Sequence, residues 1–308
     1  MIYTVTLNPA VDYVLSLSEM TPGVINRTNT ENVVFGGKGI NVSLMLKSLN
    51  TESTALGFVA GFTGDAIRAG VEAAGVHTDF IALENGFTRI NVKIHAGEET
   101  EINGNGPDIP DDKLERFFAQ LDTLKDGDTL VVSGSVPRSL PKDIYAQIAA
   151  RTAGKGVRLI VDAAGELLRS VLPYHPYLVK PNKHELSALF GVPAETDEEV
   201  LQLAAKLQEM GAQHVLISMA GDGALLRTAD GKTYKAPAAK GTVVNSVGAG
   251  DSMVGGFLAA LSHGEDLKEA LALGTAAGGA TAFSVGIADF DKIMAIYEAV
   301  KNEVACVE

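Results

Sequence analysis

Val244-Asn245-Ser246-Val247-Gly248-Ala249-Gly250-Asp251-Ser252-Met253-Val254-Gly255-Gly256 reads as a glycine-rich turn that opens a helix. Val243 and Val244 predict a strand end ahead of it, and Met253 to Leu261 is small and apolar, as in a buried helix. Gly248 and Gly250 lack a Cβ, so the backbone can turn sharply there and present its N–H groups outward. A helix N-terminus also carries unpaired donors and partial positive charge, and an anion fits it. Asp251 falls in the first turn. A carboxylate beside such an anion hole can take a proton from a hydroxyl while the amides hold charge on a transferring phosphoryl group. Taken alone, Asp251 equally suits a plain helix cap after a glycine turn.

The rest of the 308-residue chain decides between these readings. Its length allows one large α/β domain or two smaller ones. Hydrophobic residues make up 46%, enough for a substantial core. A formal net charge of −13 argues against a nucleic-acid partner. Cys306 is the one cysteine, so no disulfide framework is possible within a chain, which fits a reducing compartment. Met1 to Asn8 lacks the basic and apolar segments of a signal peptide. Ala270 to Val285 is broken by glycines and is shorter than the ~20 apolar residues of a spanning helix. A soluble, cytoplasmic protein without membrane partners is expected.

Ile2 to Leu7 is β-rich and stops at Asn8-Pro9-Ala10-Val11-Asp12. Asp12 is thus expected just past a strand's C-terminal end, the edge where open α/β sheets bind ligands, although turns also favour aspartate. From Ser53 to Ile287 the chain mostly alternates. Strands are predicted at 54–59, 129–133, 157–161, 177–179 and 214–218. Helices are predicted at 65–74, 111–124, 142–153, 182–190 and 197–210. This rhythm implies a mostly parallel sheet with helices on both faces.

Two segments break the rhythm. Val14, Leu15 and Leu17, then Val24, Ile25, Arg27, Val33 and Val34, predict short strands around Thr21-Pro22-Gly23. Phe87 to Ile94 alternates polar and apolar residues, and Glu99 to Ile102 is expected to pair with it through the turn at Ala96-Gly97. Together they predict a small separate sheet, a lid or dimer surface.

Between those segments, Phe35-Gly36-Gly37-Lys38-Gly39-Ile40-Asn41-Val42 precedes an amphipathic helix over 40–49. The glycines let a ligand approach the backbone, Lys38 brings positive charge, and Asn41 both donates and accepts. The set suits a phosphorylated, polyhydroxylated small molecule. It is not a P-loop.

Three further strand ends carry polar residues: Ser133-Gly134-Ser135-Val136-Pro137, Asp162, and Lys180-Pro181-Asn182-Lys183-His184-Glu185. Asn182 and Glu185 share a helical face and could hold a hydrated Mg²⁺. They also spell a capping box. Ser218-Met219-Ala220-Gly221-Asp222-Gly223 is a hairpin turn or a nucleotide-lining loop. Ala270 to Phe283 suits close helix packing, or a flat adenine ring lying against it. The six histidines show no ligand spacing, and Gly-x-Ser-x-Gly is absent. Gly248-Ala249-Gly250 begins like a dinucleotide fingerprint, but Met253 holds the third glycine position.

Asn245 to Ser252 resembles the C-terminal signature of the ribokinase-like (PfkB) sugar kinases. Gly36 to Val42 resembles their N-terminal signature, and Lys180-Pro181-Asn182 with Glu185 their magnesium and phosphate motif. The similarity spans essentially the whole chain, in order. Thr4 to Asp12, Thr88 to Lys93 and Ser133 to Pro137 resemble the phosphosugar branch. The resemblance implies a three-layer α/β/α sandwich with a mostly parallel central sheet and a small β-sheet lid. It implies a single kinase domain over 1–308, with lid strands from about 13–34 and 87–104. It also implies ATP-dependent phosphorylation of a ketohexose phosphate: fructose 1-phosphate to fructose 1,6-bisphosphate, with tagatose 6-phosphate and fructose 6-phosphate as rivals.

By position, the family's roles fall as follows. Asp251 would be the base, with the Gly248, Ala249 and Gly250 amides as anion hole. Asp12, Gly37, Lys38, Asn41, Asn91 and Ser135 would hold the sugar, and Arg27 and Arg89 its phosphate. Lys180, Asn182 and Lys183 would serve the ATP phosphates. Ser218, Gly221, Gly223 and Gly278 would line the nucleotide. Glu185, with Asn182, would hold Mg²⁺ through water. The resemblance further implies a homodimer formed through the lid. A binding protein that kept the fold and lost catalysis is the reading from a different class; it would be expected to have lost Asp251.

Overall fold

The computed structural model describes residues 1–307, and the last residue of the expected 1–308 domain lies outside the described residues. The chain opens with strands β1 (Ile2–Thr6), β2 (Ala10–Ser16) and β3 (Thr30–Gly36) and helix α1 (Lys38–Ser48). Next come β4 (Ser53–Ala60), α2 (Gly61–Ala73), β5 (His77–Leu83), β6 (Arg89–Ala96), β7 (Glu98–Asn103) and α3 (Asp111–Asp122). The middle holds β8 (Thr129–Ser133), α4 (Ile144–Thr152), β9 (Arg158–Asp162), α5 (Gly165–Val171), β10 (Leu178–Val179) and α6 (Lys183–Phe190). Then follow α7 (Asp197–Glu209), β11 (His214–Ser218), β12 (Ala224–Arg227) and β13 (Thr233–Ala236). The chain finishes with α8 (Ala249–Ser262), α9 (Leu267–Ala282), α10 (Phe290–Val300) and β14 (Ala305–Val307).

Ten strands form one sheet in the order β14-β13-β12-β11-β10-β9-β8-β1-β4-β5. From β11 to β5 every pairing is parallel, and the three pairings from β11 to β14 are antiparallel. Strand period two sorts the core into layers. In β8, Leu130 and Val132 pack with Phe117, Tyr145, Leu168, Leu186 and Leu203 from α3 to α7. Val131 points to the opposite face, with Val42, Val254, Phe257 and Leu271 of α1, α8 and α9. The result is a three-layer sandwich, as expected. No helix among the described residues is long and apolar enough to cross a membrane.

The small-residue run predicted to pack closely is α9 against α8. A Cβ on Gly256 would stand 2.7 Å from the Leu273 carbonyl oxygen, and one on Gly274 2.8 Å from that of Met253. Only glycine allows backbones this near.

The second sheet has the order β3-β2-β6-β7. β2 pairs parallel with β6, while β3 and β7 pair antiparallel at the two edges. It matches the predicted lid, with two differences. Asp12 is not past a strand end: the chain leaves β1 through Leu7-Asn8-Pro9 and enters the lid at once, so Asp12 lies within β2. Val24, Ile25 and Arg27 form no strand. They lie in an exposed loop whose amide Asn26 closes on Thr21, donating to its carbonyl at 2.8 Å and accepting from its N–H at 2.9 Å. With nothing to bury, this apolar alternation drives no pairing.

The strand end predicted at Val243 and Val244 is also absent; both are exposed. The segment is tied instead by the Val244 and Asn245 N–H groups, which donate to the Ala282 carbonyl. His77–Leu83, α5 and the C-terminal strands carry no strong periodicity and emerge only in three dimensions.

Candidate active site

A cavity of about 1360 Å³ opens on the carboxyl edge of the parallel strands, between that edge and the lid. Thr6, Ser133, Asp162 and Ser218, the last residues of β1, β8, β9 and β11, all line it.

Gly248 lies in the left-handed region at φ 80, which turns the chain so that α8 starts at Ala249. Asp251 therefore falls in the first turn, facing the cavity, and is 5% exposed. Asn41 Nδ2 donates to its Oδ2 at 2.8 Å. A Cβ on Gly250 would come within 3.2 Å of Lys180 Nζ, so that ammonium lies against the same turn. One expected amide is engaged elsewhere. Ala249 N–H donates to the Ser246 carbonyl at 3.2 Å, while Gly248 and Gly250 N–H have no backbone partner among the described residues.

Beneath Asp251 sits an ion cluster that sequence reasoning did not assign. Asp162, 1% exposed, meets Lys38 Nζ at 3.3 Å through Oδ2 and Lys180 Nζ at 3.3 Å through Oδ1. The Lys180 contact is ionic without hydrogen-bond alignment. Burial alone would raise the Asp162 pKa, but Lys180 and Lys38 outweigh it and hold the carboxyl below its ordinary value. Asp251 goes the other way. Burial, then the Asp162 charge, push it up to about 6 against Asn41, Lys38 and Lys180. The two carboxylates are thus separated in proton affinity by their surroundings, the pattern of an acid–base site.

On the lid side, Asn91 Nδ2 donates to Asp12 Oδ1 at 2.8 Å, and Lys93 Nζ stands 3.7 Å from Asp12 Oδ2. Arg89 Nε donates to the Asn8 carbonyl at 3.1 Å. Two of the motif's glycines serve packing. A Cβ on Gly37 would stand 2.5 Å from Thr6 Cγ2, and one on Gly39 2.5 Å from the Val5 carbonyl oxygen. Tyr145 Oη donates to the Gly134 carbonyl at 2.8 Å and so fixes the loop that carries Ser135.

In the other half of the cavity, the β11–β12 connection is a hairpin whose turn lines the cavity with Gly221 and Gly223. Gly223, at φ +90, leaves 2.1 Å for a Cβ before the Ala236 carbonyl oxygen, so no larger residue fits. Lys183 is held by the Glu195 carbonyl and stands 3.9 Å from Asp222. Gly278 lines the cavity and also packs on Ala249.

Asn182 and Glu185 form the capping box. Asn182 Oδ1 accepts from Glu185 N–H at 2.7 Å, and Glu185 Oε2 accepts from Asn182 N–H at 2.8 Å. That leaves Glu185 Oε1 without a hydrogen bond among the described residues. One carboxylate oxygen beside a polar cavity fits a cation that keeps most of its water, as Mg²⁺ does. It does not fit an all-protein cage, and no group of three or more His, Cys, Asp or Glu gathers for one among the described residues.

Every residue expected at the site lines this one cavity except Arg27, which lies in the exposed 17–29 loop. Asp162, expected only as a polar strand end, and Lys93 were given no role. Asp162 ends the apolar run Leu159-Ile160-Val161, and Lys93 continues the period-two series Arg89, Asn91 on one face of β6.

The chain belongs to the pfkB family of carbohydrate kinases, whose profile matches residues 5–292. It is a phosphotransferase of that family. The 1-phosphofructokinase of Bacillus subtilis is 48% identical over 284 residues, covering 92% of this chain and 93% of that protein. The D-tagatose-1-phosphate kinase of Bacillus licheniformis is 41% identical over 294 residues, covering 95% and 96%. Among solved structures, phosphofructokinase-2 from Escherichia coli in complex with substrates and products superposes with a TM-score of 0.91. It is 29% identical and covers 97% of this chain and 99% of that one.

Proposed function

We propose that this kinase transfers the γ-phosphoryl group of ATP to the 6-hydroxyl of fructose 1-phosphate, giving fructose 1,6-bisphosphate and ADP. The observation that carries the chemistry is Asp251, buried at the start of α8 with its carboxylate held by Asn41 and Lys180 against the same turn. Asp251 takes the hydroxyl proton as the sugar oxygen bonds to the γ-phosphorus and the bond to the β-phosphate oxygen breaks. The Gly248 and Gly250 amides, with Ala249 between them, and the Lys38 and Lys180 ammoniums hold the charge of the transferring group. Asp12, Asn41 and Asn91 hold the sugar, Ser135 and Arg89 its phosphate end. The Ser218–Gly223 hairpin and Gly278 receive the nucleotide. Glu185, through water, would hold a Mg²⁺, which would neutralise phosphate charge. The cavity lies under the lid, which closes to exclude water and limit hydrolysis of ATP.

The choice of sugar rests on the 48% identical relative named for fructose 1-phosphate. The 41% identical relative named for D-tagatose 1-phosphate makes that isomer the second reading. The two ketoses differ in one stereocentre, a difference decided by hydrogen bonds in the pocket. The test is kcat/KM with ATP and Mg²⁺ on fructose 1-phosphate, tagatose 1-phosphate, fructose 6-phosphate and tagatose 6-phosphate, side by side. Fructose 1-phosphate is expected to rank first, and any other leader displaces this reading of the substrate.

The lid also supports a homodimer. The face turned away from the cavity exposes Val33 and Ile102, Val34 is exposed on the other face of edge strand β3, and apolar residues gathered on one small sheet mark an interaction surface. Arg27 lies in the exposed loop that joins β2 to β3. Elution at twice the 32.2 kDa chain mass is expected in gel filtration. A monomer mass at micromolar protein would remove the dimer. The acidic composition and single cysteine support a cytoplasmic setting.

A further inference from the structure

Five cationic side chains line the cavity: Lys38, Arg89, Lys93, Lys180 and Lys183. Lys38 and Lys180 share the buried Asp162, beside the first turn of α8. Lys183 is tied to the Glu195 carbonyl and Asp222 at the hairpin end. That leaves Arg89 and Lys93, four residues apart on one face of lid strand β6, with Asn91 between them. Arg89 is committed in part to the Asn8 carbonyl. Among the described residues Lys93 is partnered only by carboxylates: Glu101 at 3.3 Å and Asp12 at 3.7 Å.

These two partners are unequal. Asp12 is buried and fixed by Asn91. Glu101 stands on β7, an edge strand exposed along its whole length, and its side chain is 39% exposed. With Glu101 this exposed, water screens its side of the pair and weakens the attraction. A phosphate monoester carries more charge and more acceptor oxygens than a carboxylate, so it displaces Glu101 readily. The Lys93 stem is enclosed, with the side chain only 12% exposed, which keeps its ammonium aimed into the cavity.

We propose that Lys93 binds the phosphate already present on the sugar, with Glu101 standing in its place when the cavity is empty. Lys93 and Arg89 then form a two-cation subsite on β6, and the lid itself distinguishes a phosphorylated sugar from a free one. This inference rests on the reading of the enzyme as a ketohexose-phosphate kinase, but not on which hexose phosphate ranks first.

The test uses the full-length enzyme and whichever hexose phosphate ranks first in the comparison above. Lys93→Met is expected to raise KM for that substrate at least tenfold, with kcat changed less than threefold and KM for ATP unchanged. Free fructose, used as a competitive inhibitor, should keep its Ki within twofold, because it has no phosphate to lose. Lys93→Arg should recover most of the affinity. A rise in fructose Ki that matches the rise in substrate KM would mean that Lys93 only braces Asp12, and would overturn the proposal. So would an unchanged KM. ATP should still raise the melting temperature of Lys93→Met, which establishes that the variant is folded. If the wild-type enzyme turned over none of the four sugar phosphates, the functional reading would fail instead; calorimetric binding of fructose 1-phosphate to wild type and Lys93→Met would still decide the role of Lys93.

Discussion

Asp251→Asn is expected to lower kcat at least ~10²-fold while leaving the affinity for ATP unchanged. Asparagine keeps the shape and can still accept from Asn41, so the loss isolates proton removal from positioning. The pH dependence sharpens the test. Asp251 is held up to about 6 by burial and by Asp162, so wild-type kcat/KM should fall as pH drops below about 6, and this acid limb should vanish in Asp251→Asn. Stability moves in the opposite sense. A carboxyl whose native pKa is raised contributes stability that is complete below its unfolded value, ~3.9, and is lost as pH rises through about 6. Asp251→Asn should therefore be at least as stable as wild type at pH 8, and any gain should fade toward pH 4. Near-normal turnover in this variant would remove Asp251 from the role of base.

Asp162→Ala should unfold the protein more easily than any other single change at the site. Removing this carboxylate leaves Lys180, with a side chain 5% exposed, and Lys38 facing each other without a counter-charge. Breaking a buried pair in this way typically costs about 3–5 kcal/mol. Chemical denaturation at pH 7.5 reads that loss directly. The sign with pH is fixed by the lowered native pKa of Asp162. Its contribution is present above the ordinary carboxylate range and disappears as the pH falls, so wild type and variant should converge in acid. A difference under about 1 kcal/mol at pH 7.5 would show that solvent or the Asp251 carboxylate compensates. The variant has a second reading in its kinetics. Asp162 helps to raise Asp251, so its removal should move whatever acid limb remains to lower pH.

Much of this site could be read from the chain because strand ends announce themselves. Apolar runs that stop at Ser133, Asp162 and Lys180 place those residues on one edge once the βαβ rhythm is recognised. The lid was legible in β6 and β7, where polar and apolar residues alternate around a glycine turn. It misled at Val24 and Ile25, since alternation without a partner to bury against is only a loop. The pairing of Asp162 with Lys38 and Lys180 was not legible, because it depends on β9 lying next to β10 and on α1 reaching over β8. Spacing alone likewise left Asn182 and Glu185 open between metal and cap. The structure shows the cap, and leaves one carboxylate oxygen for anything further.

The place of β1 in the sheet bears on how the protein is made. Strand β1, made before both its neighbours, ends up between β8 and β4, and Asn41 meets Asp251 across 210 residues of sequence. A ribosome delivers these pieces far apart in time. Until β8 emerges, β1 has one open edge, and until α8 emerges, α1 has only the sheet to pack on and its side toward α8 stays uncovered. Contacts of such long range are slow to form and leave apolar surface open to aggregation meanwhile. The half of the cavity built from the lid and α1 is thus synthesised before the half that carries Asp251, so the nascent chain acquires catalysis only after α8 has emerged.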